Sequence, residues 1–269
     1  MLLGTLVVGA AWLSAPATAG EGDPVEQLLA RAADYDPAVR ALAPRVRRLC
    51  DSDPLCAARQ IVAAGDGRAR LQRVEHPDTD SIRWVKTVPS VAGTRELDSG
   101  ALLIVLDGFG RKALPELRAA MDGTAAGLPI VLDLRGNGGG DLGRMTQIAG
   151  YFLGGRSSAF SISNAGQESP VNLDGGSVGK RPGAVTVLVG PGTASSAEIL
   201  AALLRRYAGA EILGQATAGK DYLTRIVAVD HDWRLLLPAE RVTVPGESIS
   251  GGLRPDGPIP ADLAEAVAR

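Results

Sequence analysis

Histidine, cysteine and aromatic residues are all scarce in this 269-residue chain, and each shortage removes a class of function. Two cysteines and two widely separated histidines, His76 and His231, offer no metal-ligand spacing, so neither a metal nor a cofactor is expected. An aromatic content of 4% leaves little for base-stacking surfaces. The 28 basic residues are balanced by 30 acidic ones, for a net charge of −2, and no Lys/Arg cluster stands out. A nucleic-acid partner is therefore not expected. Long apolar runs are missing too. The best, residues 2–13, falls short of the roughly 20 residues needed to span a bilayer, so stable membrane insertion is not expected. No repeat of fixed period is present, and nothing speaks to oligomeric state. What remains is a 45% hydrophobic chain, ample for a packed core in one or two domains.

The first 19 residues read as a signal peptide. Their apolar run leads to Ala17-Thr18-Ala19, the small-x-small pattern before a cleavage site, although a positive n-region is missing. The competing reading is a buried N-terminal helix. Export, periplasmic or secreted, is the expectation. Cys50 and Cys56 fit that compartment: they flank Asp51-Ser52-Asp53-Pro54-Leu55, whose composition favours a turn that brings the two sulfurs together. The alternative is two free thiols in a helical hairpin.

Residues 20–72 read as a small helical region, with Leu28, Leu29, Ala32 and Ala33 and then Val46 and Leu49 at helical spacing. Residues 73–100 read as a short mixed connector, with Trp84-Val85 and Val88 as strand candidates. From residue 101 the pattern changes. Buried-strand runs at 101–106, 129–134, 184–189 and 211–213 alternate with helical stretches at 112–121, 142–153 and 195–207. Such alternation predicts an α/β core with right-handed βαβ units over residues 101–260, followed by a tail at 261–269. The Ser/Gly/Asn-rich stretch 157–180 reads as an exposed excursion, and residues 222–244 as antiparallel strands.

Two loops stand where a core strand hands over to a helix, the place where open α/β sheets form sites. In Asp133-Leu134-Arg135-Gly136-Asn137-Gly138-Gly139-Gly140 the glycines strip side chains from the loop, so backbone N–H groups can approach a ligand as an anion cradle or oxyanion hole. By itself such a run is equally a plain turn. In Gly192-Thr193-Ala194-Ser195-Ser196-Ala197-Glu198, Ser195 falls at the start of a helix. Taken alone it reads better as an N-cap, because Ser195 to Glu198 has the Ser-x-x-Glu form of a capping box. A third loop, Gly214-Gln215-Ala216-Thr217-Ala218-Gly219-Lys220, changes the balance. A serine nucleophile needs a base, neither histidine sits in a recognisable loop, and a desolvated Lys220 with a depressed pKa meets the requirement. The bland reading of Lys220 is a solvated surface charge.

Together these residues resemble the C-terminal processing (tail-specific) family of serine peptidases. Residues 192–198 resemble that family's serine loop, G-[ST]-A-S-A-S-E, and residues 214–220 its lysine loop, G-x-x-T-x-G-K. The interval of 25 residues between Ser195 and Lys220 is also similar. Residues 133–140 look like the family's D-L-R-x-N-x-G-G, and Ile249-Ser250-Gly251-Gly252-Leu253-Arg254-Pro255-Asp256 like its closing I-x-G-x-G-[IV]-x-P-D. The resemblance implies a crotonase-like core, Ser195 as nucleophile and Lys220 as general base. It also implies an oxyanion hole from backbone N–H groups of Gly139 or Gly140 and of Ser196. Three departures stand out. The 72–100 interval is too short for the family's PDZ domain. Thr224 occupies the place of a glutamine that serves as a possible lysine-orienting residue. Ser196-Ala197 exchanges the motif's second alanine and serine. The expected activity is hydrolysis of protein or peptide substrates. The alternatives are a crotonase-like acyl-CoA enzyme and a non-catalytic peptide-binding protein on the same fold.

Overall fold

The computed structural model describes residues 23–35, 38–65, 67–74, 90–122, 124–164, 166–174 and 183–268. The expected signal peptide, the strand candidates at Trp84-Val85 and Val88, and His76 lie outside them.

Among the described residues three helices come first: α1 (Pro24–Tyr35), α2 (Ala38–Cys50) and α3 (Pro54–Ala64). The turn between α2 and α3 explains itself from sequence. Asp53 caps α3 by accepting from Leu55 N (2.9 Å) and Cys56 N (3.1 Å), and Pro54 occupies the first helical turn, where its missing N–H costs nothing. That turn brings Cys50 and Cys56 to a Cα separation of 5.4 Å, and they form the expected disulfide.

Two sheets follow. The first has the order β2-β3-β4-β7-β8: β2 (Val91–Glu96), β3 (Leu102–Leu106), β4 (Ile130–Asp133), β7 (Val185–Val189) and β8 (Glu211–Gly214). The last four run parallel, while β2 pairs antiparallel with β3. All four residues of β4 are buried, the signature of a parallel strand covered on both faces. One face packs α4 (Ala113–Met121), α5 (Leu142–Leu153) and α6 (Ser196–Ala208), through Leu117, Met121, Ile148, Leu200 and Leu204. Against the other, Leu103, Val131, Leu188 and Leu213 meet Leu263, Ala266 and Val267 of α7 (Ala261–Ala268). The expected C-terminal tail is thus a helix that closes the core.

The second sheet is antiparallel. It has the order β1-β10-β5-β6, with β9 paired to β10: β1 (Arg70–Arg73), β5 (Arg156–Asn164), β6 (Gln167–Leu173), β9 (Tyr222–Ala228) and β10 (Trp233–Thr243). Residues 157–173 are therefore not an excursion but the β5–β6 hairpin. Its buried residues Ala159, Phe160, Val171 and Leu173 are thinned by intervening Ser and Asn, which hides the alternation. The three N-terminal helices pack their apolar faces on Val227, Leu235 and Leu237 of β9 and β10. Both sheets recruit strands from before residue 101, and the parallel one begins at Val91.

Candidate active site

Because β4, β7 and β8 are adjacent and parallel, the loops at their carboxyl ends emerge side by side. These are the glycine loop, the serine loop and the lysine loop. Side chains that look merely structural stitch them together. Thr193, fully buried, donates its hydroxyl to Leu134 O (2.7 Å) and accepts from Gly190 N (3.0 Å). Asn137, also fully buried, donates to Leu106 O (2.8 Å) and accepts from Gly139 N (2.9 Å). The Asn137 carbonyl in turn accepts from Ala194 N (3.0 Å). The glycine loop therefore presses directly on the serine loop. At Gly139 (φ +100°) a β-carbon would stand 2.8 Å from Ala194 O and 2.9 Å from Ser195 Cβ, distances no side chain tolerates.

Ser195 sits in a conformation of its own. Its φ of 57° and ψ of −122° leave the β-region of an ordinary N-cap. For a residue other than glycine such a backbone costs on the order of 1–3 kcal/mol and persists only where the surroundings impose it. Ser195 is half-buried at the start of α6. Its neighbour Ser196 is 1% exposed and donates its hydroxyl to Gly140 O (3.0 Å). The extra hydroxyl noted in the sequence is thus a tether between the serine and glycine loops.

Glu198 joins the serine loop to the lysine loop. Its carboxylate is 0% exposed. One oxygen, Oε2, accepts from Ser195 N (2.7 Å) and from Lys220 N (2.8 Å). The other, Oε1, accepts from Gly219 N (2.7 Å) and from the Thr217 hydroxyl. The backbones of Ser195 and Lys220 therefore share a single acceptor atom. Two further bonds brace the lysine loop: Ala218 N donates to Thr193 O (3.0 Å), and Leu253 N, in the closing motif, donates to Thr217 Oγ1 (2.7 Å).

The half-buried Lys220 amine has its pKa pushed below the usual lysine value. Burial is the main cause, the positive charge of Arg70 adds to it, and the Glu198 carboxylate partly opposes both. Among the described residues no hydrogen bond joins the Lys220 amine to the Ser195 hydroxyl, or to Thr224. No group of three or more potential ligands able to hold a metal ion occurs among the described residues.

The sequence model of the family described as "Peptidase family S41" matches residues 101–259, more than half of the chain. The chain belongs to peptidase family S41. Two relatives are each 29% identical to it over the parts matched. One is the carboxyl-terminal-processing peptidase 2, chloroplastic, of Arabidopsis thaliana, matched over 162 residues, 58% of this chain and 31% of the relative. The other is the carboxy-terminal-processing protease of Bartonella bacilliformis, matched over 199 residues, 70% of this chain and 45% of the relative. The chain thus spans less than half the length of these relatives. Among solved structures, a lipoprotein from Streptococcus agalactiae superposes with a TM-score of 0.70 at 16% identity, over 91% of this chain and 94% of that one. The photosystem II D1 C-terminal processing protease superposes with a TM-score of 0.53 at 21% identity, over 75% and 52%. At these identities the superpositions speak to the fold.

In this S41 chain the loops bring the backbones of Ser195, Ser196, Gly139, Gly140 and Lys220 into one neighbourhood. Two expectations need refinement. The Gly139 N–H is already committed to Asn137, which leaves Gly140 as the glycine-loop donor to consider. Thr224 lies inside β9, opposite Pro238 of β10, where the extended backbone carries it away from Lys220. His231 is no rival base. It sits exposed in the turn after β9, with Nδ1 3.0 Å from Asp232 Oδ1, and the length of β9, about 20 Å, separates that turn from the lysine loop. Sequence reasoning missed the two organising side chains, Asn137 and Glu198. Both stand in the motifs, but Glu198 reads there only as half of a capping box.

Proposed function

We propose that this S41 chain is an exported serine peptidase that hydrolyses protein or peptide bonds with Ser195 as nucleophile and Lys220 as general base, on a crotonase-like core. The observation that carries the reading is the Glu198 carboxylate, which holds the backbones of Ser195 and Lys220 on one oxygen. Around it the chemistry is consistent. The depressed pKa of Lys220 supplies a neutral amine at lower pH than a solvated lysine would. That amine takes the Ser195 proton as Oγ attacks the scissile carbonyl, then returns a proton to the leaving amine; water repeats the cycle on the acyl-enzyme. The charge that develops on the carbonyl oxygen meets the N–H groups of Ser196, at the start of α6, and of Gly140. The Ser196 tether to Gly140 O keeps these two donors in register. The reading assigns residues 1–19 to a signal peptide and the hydrolytic machinery to 101–260, with no metal or cofactor.

Labelling with a fluorophosphonate probe tests this. The wild type should take one label at Ser195, and Ser195→Ala should take none. A folded wild type that resists the probe would leave a peptide-binding role on the same fold as the better reading.

A further inference from the structure

The Lys220 amine makes no hydrogen bond among the described residues, and Thr224 does not reach it. An amine that is to accept a proton at a fixed place needs something to hold it. What stands beside it is an aromatic face: Lys220 Nζ lies over the ring of Tyr222, 5.5 Å from the centroid. That is within the range in which an ammonium is attracted to a ring quadrupole. Tyr222 is half-buried and opens β9, so its backbone is fixed by pairing with β10 opposite Arg241.

The geometry points to Tyr222 as the positioning residue for Lys220, its ring providing the seat that Thr224 cannot. This rests on the dyad reading above for its catalytic meaning, though not for the contact itself. A ring face attracts the charged amine and is nearly indifferent to the neutral one. It therefore stabilises the ammonium that forms when the Ser195 proton reaches Nζ, and it fixes where that ammonium sits. Other charges act on the same amine, and they divide by element. Arg70 on β1 opposes the charged form, and Arg68 just before β1 holds its Cζ 5.4 Å from the centroid of the same Tyr222 ring. Glu198 from α6 favours the charged form. Asp221, next in sequence, is paired with Arg241 of β10. Against these the ring works in the direction of Glu198, without bringing in a second carboxylate.

The chain has only four lysines, at 86, 112, 180 and 220, so the amine is directly observable. Protein labelled with 13Cε-lysine is titrated by NMR, with the Lys220 signal assigned by its loss in Lys220→Ala, and kcat/KM for a peptide substrate is followed over the same pH range. Tyr222→Phe keeps the ring and should titrate like the wild type. Tyr222→Leu and Tyr222→Met remove the ring but keep apolar bulk, and should lower the Lys220 midpoint by about half to one and a half pH units. An Arg68→Met partner in each background removes the contribution of the second cation on the ring. The acid limb of kcat/KM should follow the midpoint. A Lys220 midpoint that stays put or rises in both ring-less variants would overturn the assignment. A midpoint that falls while the acid limb stays fixed would uphold the seat and overturn Lys220 as the base.

Discussion

Replacing Glu198 by alanine removes the acceptor for three backbone N–H groups, those of Ser195, Gly219 and Lys220, and for the Thr217 hydroxyl. The carboxylate is wholly buried, so water does not readily take its place. A buried donor left without a partner costs about 1–3 kcal/mol. Thr217 can redirect its hydroxyl, but the three amides cannot turn, so the loss should be about 3–9 kcal/mol. That is a large part of the roughly 5–15 kcal/mol by which proteins of this kind are stable. Glutamine separates charge from shape. Its amide nitrogen must face one pair of donors, and the pair with a rotatable hydroxyl, Thr217 and Gly219, is the less costly choice. Its oxygen then still bridges Ser195 and Lys220. Glu198→Gln should lose only about 1–3 kcal/mol and keep measurable turnover, whereas Glu198→Ala, even well below its melting temperature, should lose kcat by about 10²-fold as the two loops drift. Urea unfolding followed by circular dichroism gives the first quantity and steady-state peptide hydrolysis the second. An alanine variant within about 1 kcal/mol of wild type and with normal kcat would refute the claim that this carboxylate organises the site.

Three further outcomes follow from named contacts. Gly139→Ala introduces a β-carbon 2.8 Å from Ala194 O and 2.9 Å from Ser195 Cβ, so the loops must part and kcat should fall about 10²–10³-fold in a hydrolysis assay; near-normal kcat would show that the loop yields harmlessly. Cys50 and Cys56 close a loop with a sequence separation of only 6, so converting both to serine should cost about 2 kcal/mol in urea unfolding, with kcat unchanged; a loss above about 4 kcal/mol would mean that the bond does more than restrict the unfolded chain. Thr224→Val should leave kcat within a few-fold of wild type, because no hydrogen bond joins Thr224 to the Lys220 amine; a collapse matching Lys220→Ala would make its hydroxyl essential.

The parallel core was legible because β3, β4 and β7 are nearly continuous apolar runs that end in glycine or polar loops, and α4, α5 and α6 follow them in turn with helical periodicity. Of the second sheet only the antiparallel strands β9 and β10 were legible; the rest of it, and the edge strand β2 of the first sheet, were not. Strand β1 is four residues long and mostly exposed, β2 alternates weakly around Gly93, and β5 and β6 disguise their alternation with serines and asparagines. These strands exist because tertiary pairing overrides weak local preference. Helix α7 is short and its apolar face is only half-buried, so it read as a tail. At the site the same divide holds. Residue types in four ordered motifs announced Ser195, Lys220 and the glycine loop. The functions of Glu198, Asn137 and Tyr222 depend on which loop each side chain meets in space, and spacing along the chain carries no such information.

A double-mutant comparison tests the Ser195/Lys220 dyad most directly. Ser195→Ala, Lys220→Ala and the double variant are measured with the wild type for kcat on one peptide substrate. Groups that act as a unit lose nearly everything when either is removed, so each single variant should fall to near background and the double should be little worse than either. In the wild type, activity should rise with pH as Lys220 gives up its proton, with the rise beginning below the range of a solvated lysine because burial and Arg70 depress its pKa. A Lys220→Ala enzyme that keeps most of its kcat, or a double variant whose loss is the product of two independent losses, would contradict the assignment.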